Sequence, residues 1–127
     1  MNAKILVIDD SSLARRTLRQ ILESVGHTVE EAANGAEGLE KYFLHKPDLV
    51  FLDMVMEHMT GMEVLPKLLE MDAKARVVVA TADIQSGTRT EAEELGAMAV
   101  INKPFTRDRV LSALQNILEG GHHAIDQ

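Results

Sequence analysis

Acidic side chains stand at the ends of two of the most apolar segments in the chain. Asp9 and Asp10 follow the run Lys4–Ile8, and Asp53 follows the run Leu49–Leu52. Because the carboxyl ends of parallel strands line the ligand crevice of an open α/β sheet, we expect the three carboxylates to share one site. Three carboxylates in one crevice repel each other unless a hard, oxygen-seeking cation such as Mg²⁺ lies among them. The sequence therefore predicts a magnesium site.

Two further strand-like segments lead to side chains that suit a phosphoryl group. Thr81 is the last residue of a valine-rich run. Lys103 follows another apolar run and directly precedes Pro104. A hydroxyl and an ammonium beside a bound cation can both contact phosphoryl oxygens. We therefore predict that this chain handles phosphate on Asp53.

The elements that must position these residues alternate along the chain. Short β-branched runs alternate with longer runs of helical periodicity, which is typical of a parallel sheet wrapped by helices. We predict strands at Lys4–Ile8, His27–Ala33, Asp48–Asp53, Ala75–Thr81 and Met98–Ile101. We predict helices from Ser11 or Ser12 to a stop at Gly26, and at Ala36–His45, Met62–Met71, Ser86–Leu95 and Thr106–Leu118. These units leave no length for a second domain, so we expect one domain over residues 1–119 and a polar, frayed tail over residues 120–127.

The first predicted helix carries five apolar side chains. We expect them to form one buried face: Leu13, Leu18, Ile21, Leu22 and Val25. A serine at the start of this helix is a favourable N-cap, and a glycine at its end is a favourable stop.

The composition argues against several classes of function. The 127 residues carry a net charge of −7 with both signs mixed along the chain, so we expect no nucleic-acid partner and no anionic membrane surface. No apolar run approaches the roughly 20 residues that span a bilayer, and no signal-peptide pattern opens the chain. Aromatic residues make up only 3% of the chain, too few for a base-stacking platform. The absence of cysteine fits a cytoplasmic protein.

Four short motifs follow one another at the ends of predicted strands one, three, four and five. They are Val-Ile-Asp9-Asp10-Ser, Leu-Asp53-Met-Val-Met-Glu-His-Met-Thr-Gly61, Ala80-Thr81-Ala82 and Asn102-Lys103-Pro104-Phe105. Each motif is weak alone, but four in this order are specific. Together they resemble the receiver domain of two-component response regulators in its single-domain, CheY-like form, over about Lys4 to Leu118. The resemblance implies a flavodoxin-like, doubly wound sheet of five parallel strands in the order 2-1-3-4-5, with helices on both faces.

The resemblance also implies a set of metal ligands. Asp10 and Asp53 would bind Mg²⁺ directly, and Asp9 would act through a metal-bound water. The backbone carbonyl of Val55 would be the third protein ligand. Mg²⁺ is therefore the cofactor that we expect.

The phosphoryl chemistry that the resemblance implies centres on Asp53. This residue would accept a phosphoryl group from a histidine kinase or a phosphotransfer protein. Thr81 and Lys103 would each contact a phosphoryl oxygen, where charge builds up during transfer. Ala82 is small and would leave in-line access, and the Lys103–Pro104 peptide would be cis. The protein would then be a signalling phosphoacceptor and not an enzyme that acts on a separate substrate.

The family signals by binding a partner when it is phosphorylated. We expect the output face to combine the helix Ser86–Leu95, strand five and the last helix, although the downstream target cannot be read from the sequence. The attacking water for hydrolysis would be held near Val55 and Asp83. Valine offers no hydrogen bond and the aspartate has a short stem. We therefore predict slower self-dephosphorylation than in a receiver with asparagine and glutamate at these positions, and reliance on a separate phosphatase.

Three positions depart from the usual pattern of the family. Glu57 stands where receivers usually carry a proline, and Thr60 replaces an acidic residue before Gly61. We therefore expect the loop after Asp53 to differ from that of other receivers, with Glu57 adding negative charge. Val100 stands at the switch position, where the family has a tyrosine or phenylalanine that turns inward. Valine cannot make that movement, so the site chemistry transfers and the output mechanism does not.

Each site residue also has a simpler structural explanation. Asp9 or Asp10 could N-cap the first helix, and Asp53 could begin a turn. Lys103 could be a solvated loop lysine, and Thr81 could be present for its β propensity. These explanations fail only when all five residues are considered together.

Other classes of function match the motifs less well. A phosphoesterase of the haloacid-dehalogenase type needs Asp-x-Asp, whereas Asp9 and Asp10 are adjacent, and no cap domain fits the length. A nucleotide-binding Rossmann domain needs a glycine-rich turn after strand one, and residues 9–12 contain no glycine. A pseudo-receiver, which binds partners without phosphorylation, is the main alternative. Its usual mark is the loss of an acidic or lysine residue, and none is lost here.

Overall fold

The computed structural model describes residues 2–82 and 86–120 of the chain. Strands and helices alternate throughout these residues. The strands are β1 (Lys4–Ile8), β2 (Thr28–Ala32), β3 (Leu49–Asp53), β4 (Val77–Thr81) and β5 (Ala99–Asn102). The helices are α1 (Ser12–Glu23), α2 (Gly35–His45), α3 (Gly61–Met71), α4 (Ser86–Glu94) and α5 (Arg107–Gly120).

The five strands form one sheet in the order β2-β1-β3-β4-β5, and every pair of neighbours is parallel. This is the predicted doubly wound arrangement, and it is confirmed. From β1 the chain adds β2 on one side and β3, β4 and β5 on the other, so the strand order reverses between β1 and β3. Open α/β sheets form a ligand crevice at such a point. All five residues of β3 and all five of β4 are buried, as expected for central strands that are covered by helices on both faces.

Two apolar layers hold the helices against the sheet. Helices α2, α3 and α4 cover one face, in a core that includes Leu6, Ile8, Val50, Leu52, Tyr42, Val64, Leu68 and Ala92. Helices α1 and α5 cover the other face, in a core that includes Ile5, Val7, Phe51, Leu18, Leu22, Val110, Leu114 and Ile117. The alternation of side chains along each strand supplies both layers.

The predicted face of α1 is partly wrong. Leu18 and Leu22 are buried and Ile21 is half-buried, but Leu13 is 67% exposed and Val25 is 39% exposed. At about 100° per residue, Leu13 points roughly 140° away from Leu18, which places it outside the buried stripe. Val25 lies beyond the last residue of the helix, where helical geometry no longer directs it toward the core.

Most predicted boundaries lie within one residue of the observed ones. Larger differences occur at three elements. Strand β4 begins at Val77 and not at Ala75, α1 ends at Glu23, ahead of the predicted stop at Gly26, and α5 continues to Gly120. Gly120, the first residue of the predicted tail, is the last residue of α5, and residues 121–127 lie outside the described part of the chain. Gly26, with φ of 97°, occupies the left-handed region that a helix stop requires. No helix within the described residues has the length and apolarity needed to cross a bilayer.

Candidate functional site

The carboxyl ends of four strands bring the predicted site residues to one edge of the sheet. Asp9 directly follows β1, Asp53 is the last residue of β3, and Thr81 is the last residue of β4. Lys103 directly follows β5. The register aligns these ends, because Asp53 pairs with Ala80, the neighbour of Thr81, and Thr81 itself pairs with Asn102. The parallel sheet therefore gathers residues that are far apart in sequence.

Asp9, Asp10 and Asp53 form one cluster of carboxylates. A carboxylate oxygen from each residue lies within 4.8 Å of the other two. Asp9 and Asp53 are almost fully buried, with 2% and 5% exposure, whereas Asp10 is exposed. This arrangement gives the crevice a buried floor and an open side.

Lys103 bridges the two buried carboxylates. Its Nζ lies 2.9 Å from Asp9 Oδ2 and 3.2 Å from Asp53 Oδ1. Its backbone N–H donates a 2.8 Å hydrogen bond to the carbonyl of Thr81, which ties the loop after β5 to the end of β4. The Lys103–Pro104 peptide is cis, as the resemblance implied. Lys103 is therefore not a solvated loop lysine.

The electrostatics of the cluster depend on burial and on repulsion between like charges. Burial, together with the neighbouring charge of Asp9, raises the pKa of Asp53 from 3.8 to about 6 against the opposing effect of Lys103. Burial alone would lower the pKa of Lys103, but its contacts with Asp9 and Asp53 outweigh burial and raise that pKa. Two buried carboxylates thus share one ammonium, and the cluster retains an excess of negative charge.

Hydrogen bonds to β2, to α1 and to the residue before α1 hold Asp9 in place. Its backbone N–H donates a 3.1 Å hydrogen bond to Ala32 at the end of β2. Its Oδ1 accepts a 2.9 Å hydrogen bond from the backbone of Ser11, and its carbonyl accepts a 2.7 Å bond from Nη1 of Arg15. Asp9 does not cap α1, because the cap is Ser11, whose side chain accepts from the backbone of Ala14.

The loop after β3 borders the open side of the crevice. The backbone N–H of Val55 lies 3.4 Å from Asp53 Oδ1, and the backbone N–H of Glu57 donates a 3.2 Å hydrogen bond to Asp10 Oδ2. The Glu57 side chain is exposed, and its backbone N–H is a donor that a proline at this position would lack. Gly61 lies so close to the carbonyl of Asp53 that a Cβ at this position would clash with it.

The chemistry of this donor set fits Mg²⁺. Three carboxylates offer hard oxygen atoms within one small volume, and a single ammonium is shared by two of them. Asp10 is the most accessible of the three, so it can meet a cation that retains part of its water shell. The predicted ligand roles, including that of the Val55 carbonyl, remain predictions.

The remaining predicted residues have mixed outcomes. Thr81 is buried at the floor of the crevice with 1% exposure, and Val55 is 69% exposed at its rim. Val100 is buried in β5, where its carbonyl accepts a 3.0 Å hydrogen bond from Nη2 of Arg89. Asp83 lies outside the described residues, so its role in hydrolysis stays a prediction.

The sequence analysis missed Arg15. This arginine lies one turn into α1, and its contact with the Asp9 carbonyl joins it to the site. The signal in the sequence was its position five residues after Asp10. The first turn of a helix that begins at the end of β1 places such a residue close to that strand end. An arginine on an amphipathic helix is usually explained by solvent exposure, which is why the signal was not used.

The chain is thus a doubly wound α/β domain with three acidic residues, a threonine and a lysine at the carboxyl edge of its sheet. The family model of the response regulator receiver domain matches residues 5–115. The chain is 40% identical over 119 residues to the chemotaxis protein CheY of Bacillus subtilis, covering 93% of this chain and 99% of that one. It is 36% identical over 118 residues to the sporulation initiation phosphotransferase F of Bacillus subtilis, covering 93% and 95%. It is similar to CheY in the CheX–CheY–BeF3–Mg²⁺ complex of Borrelia burgdorferi, with 32% identity, a TM-score of 0.87 and coverage of 91% and 88%. The chain belongs to the response regulator receiver domain family.

Proposed function

We propose that this receiver accepts a phosphoryl group on Asp53, with Mg²⁺ as its cofactor, from a histidine kinase or a phosphotransfer protein. The observation that carries the proposal is the bridge from Lys103 to Asp53 within the three-carboxylate cluster. A buried carboxylate at a strand end, next to an ammonium and a cation site, is placed to act as a nucleophile on phosphorus. In this step one oxygen of Asp53 bonds to phosphorus, the N–P bond of a phosphohistidine breaks, and the imidazole nitrogen leaves.

The state of Asp53 before transfer follows from its surroundings. A pKa of about 6 leaves the carboxylate mostly ionised near neutral pH, so it is available as a nucleophile. Lys103 holds Oδ1, which leaves the second oxygen for the attack. When the phosphoryl group arrives, the ammonium that bridges Asp9 and Asp53 is within reach of the new oxygens.

Bound Mg²⁺ would supply positive charge against the transferred oxygens and against the three carboxylates. Asp10 and Asp53 are the residues that would hold it directly, Asp9 would act through a water, and the Val55 carbonyl would complete the protein ligands. The Borrelia relative was solved with Mg²⁺ and BeF3, which supports this cofactor for a related chain. Thr81, at the end of the neighbouring strand, would contact one phosphoryl oxygen.

Intact-mass measurement tests this function directly. The protein is incubated with acetyl phosphate, with Mg²⁺ or with EDTA, and the mass of one phosphoryl group is sought. We expect the gain in wild type with Mg²⁺ only, and no gain in Asp53→Asn. Asp48→Asn is the matched control, because Asp48 lies before the opposite end of the same strand and is exposed.

The same experiment distinguishes the pseudo-receiver alternative. A chain that binds its partners without phosphorylation would show no mass gain in wild type under any condition. A gain that persists in Asp53→Asn would instead place the phosphoryl group on another residue. Either result contradicts the proposed function.

The proposed output is binding of a partner protein through α4, β5 and α5. These elements border a cleft of about 390 Å³ whose lining includes Arg89, Val100, Asp108 and Arg109. The cleft carries charges of both signs beside an apolar floor, which suits a protein partner. Activation with beryllofluoride should shift the amide signals of these elements in NMR spectra, and unmoved signals there would contradict this assignment of the output face.

The pathway is a further part of the proposal. The relatives include chemotaxis proteins and a sporulation phosphotransferase, so either a chemotaxis or a phosphorelay role is compatible with the similarity. We propose a cytoplasmic signalling protein without an enzymatic substrate of its own. We also propose that a separate phosphatase ends the signal, as the exposed Val55 cannot orient a water.

A further inference from the structure

Arg15 connects three elements beside the acidic crevice. Its side chain is 16% exposed, and its Nη1 donates a 2.7 Å hydrogen bond to the backbone carbonyl of Asp9. Its Nε donates a 2.9 Å hydrogen bond to Glu31 Oε1 on β2. One guanidinium therefore ties α1 and β2 to the peptide that joins Asp9 to Asp10.

The orientation of that peptide decides where Asp10 points. The Asp9–Asp10 peptide lies beyond the last residue of β1, where the ladder between β1 and β3 has ended. A peptide is planar, so fixing the direction of the Asp9 carbonyl also fixes the direction in which the chain enters Asp10. Asp10 is exposed and its side chain lacks the packing that holds Asp9. Its carboxylate accepts a 3.2 Å hydrogen bond from the backbone of Glu57, and it can do so only while the Asp10 backbone directs it toward that loop.

Glu31 keeps the guanidinium in this position. It accepts from Nε of Arg15 at 2.9 Å and from Nε of Arg19 at 2.6 Å. The carboxylate is therefore shared by two arginines of α1 and balances much of their charge. This sharing keeps Arg15 on the Asp9 carbonyl and away from the carboxylates that would otherwise attract it.

We propose that Arg15 is a positioning residue for the divalent cation site, acting by holding the Asp9–Asp10 peptide so that Asp10 faces Asp53. The inference rests on the proposed function, because it requires that the carboxylate cluster binds Mg²⁺. Arg15 does not touch the cation; it orients a residue that does. Loss of such an outer partner typically lowers metal affinity by about 10- to 100-fold.

Electrostatics and positioning predict opposite signs for the effect of removing Arg15. Removal of a positive charge near a bound cation lowers their repulsion, so simple electrostatics predicts tighter Mg²⁺ binding. That prediction applies to every arginine of α1. Loss of peptide orientation predicts weaker binding, and only when Arg15 is changed.

Two neighbouring arginines serve as matched controls. Arg16 lies on the same helix, is exposed, and forms no ion pair with any residue that the structure describes. Arg19 shares Glu31 with Arg15, but its other side-chain contacts go to Glu23 and to the carbonyl of Val29. Each control removes the same charge, and Arg19→Ala also disturbs the Glu31 network without touching Asp9.

The experiment is a calorimetric titration of the full chain with Mg²⁺. We expect Arg15→Ala to raise the Kd by roughly tenfold. Arg15→Lys keeps the charge but not the two-armed contact, so its Kd should rise by about threefold or more. Arg16→Ala and Arg19→Ala should leave the Kd unchanged or lower it. Circular dichroism checks folding, and Arg15→Lys decides the question if Arg15→Ala does not fold.

Three results would overturn the inference. Unchanged or tighter binding in both Arg15 variants would show that the carbonyl contact does not position Asp10. Equal weakening in Arg19→Ala would assign the effect to the Glu31 network as a whole. If wild type itself binds no Mg²⁺, the proposed function fails together with the inference, which is distinct from the first two results.

Discussion

Replacing Asp53 by asparagine should stabilise the metal-free protein at alkaline pH. Asp53 is 5% exposed, and burial is the main reason that its pKa rises from 3.8 to about 6. A carboxyl whose pKa is higher in the folded state than in the unfolded state binds protons more tightly when folded. Its ionisation therefore lowers stability as the pH rises from about 4 through about 6.

The magnitude follows from the two pKa values. The difference between 3.8 and about 6 corresponds to a cost of about 3 kcal/mol when the carboxyl is fully ionised. Asparagine has nearly the same shape and carries no charge, so the variant should not incur this cost. Lys103 keeps its 2.9 Å contact with Asp9 in the variant, which limits the stability that is lost with the Lys103–Asp53 ion pair. Below about pH 4 the advantage of the variant should fall under about 1 kcal/mol.

Urea unfolding in EDTA at pH 8 and near pH 4 measures this effect. Glu70→Gln is a suitable control, because Glu70 is exposed on α3 and forms no ion pair within the described residues. Its stability relative to wild type should not change with pH. Addition of Mg²⁺ at pH 8 should narrow the gap, because wild type would bind the cation better than Asp53→Asn. An Asp53→Asn variant that is less stable than wild type at pH 8, or a gap that is independent of pH, would refute the reasoning.

Three further predictions concern the loop, the pH response and the lifetime of the phosphoryl group. Gly61→Ala should destabilise the fold by about 1–3 kcal/mol, since its Cβ would meet the backbone at the end of β3, whereas Gly87→Ala, with open space around its Cβ, should not; thermal unfolding compares them. Burial lowers the pKa of His27 below its ordinary value of 6.5 in the folded protein. The stability that comes from the neutral imidazole is therefore complete above pH 6.5 and is lost as the pH falls below 6.5 toward the lowered pKa of the folded state. Urea titrations at pH 7 and pH 5 should show a smaller loss of stability in His27→Gln than in wild type. Val55→Asn combined with Asp83→Glu should shorten the lifetime of the phosphorylated protein in a mass-decay assay, and an equal or longer lifetime would contradict the proposed role of these side chains.

The sequence determined the sheet and the composition of its carboxyl edge. The alternation of short β-branched runs with helical runs predicts a parallel α/β fold, because burial on both faces demands continuous apolar strands. The motifs at the strand ends then identify the family and the residues of the crevice. Asp9, Asp10, Asp53, Thr81 and Lys103 were predicted from type and order alone, and the structure brings them to one edge.

Tertiary structure decided which direction individual side chains take. Leu13 is predicted to be buried and is exposed, because α1 packs against the sheet through the side that carries Leu18 and Leu22, and Leu13 lies on the other side of the helix. Ser11, and not Asp9 or Asp10, caps α1, since the side chain of Asp9 is already held by Lys103 and the backbone of Ser11. Local sequence can list the candidates for a cap, but only the assembled fold shows which of them already has a partner.

The contacts of Arg15 and the pKa of Asp53 are set by the tertiary structure and not by the local sequence, for the same physical reason. Both depend on groups that are brought together from different elements. Glu31 comes from β2 to Arg15, whereas the pKa of Asp53 depends on burial, on Asp9 from the end of β1 and on Lys103 from the end of β5. The energies of burial and charge depend on distance and on exclusion of water, which neighbouring residues in sequence do not set. The sequence therefore specifies which groups meet at this edge, and the packing of the elements decides their distances, their charge states and their partners.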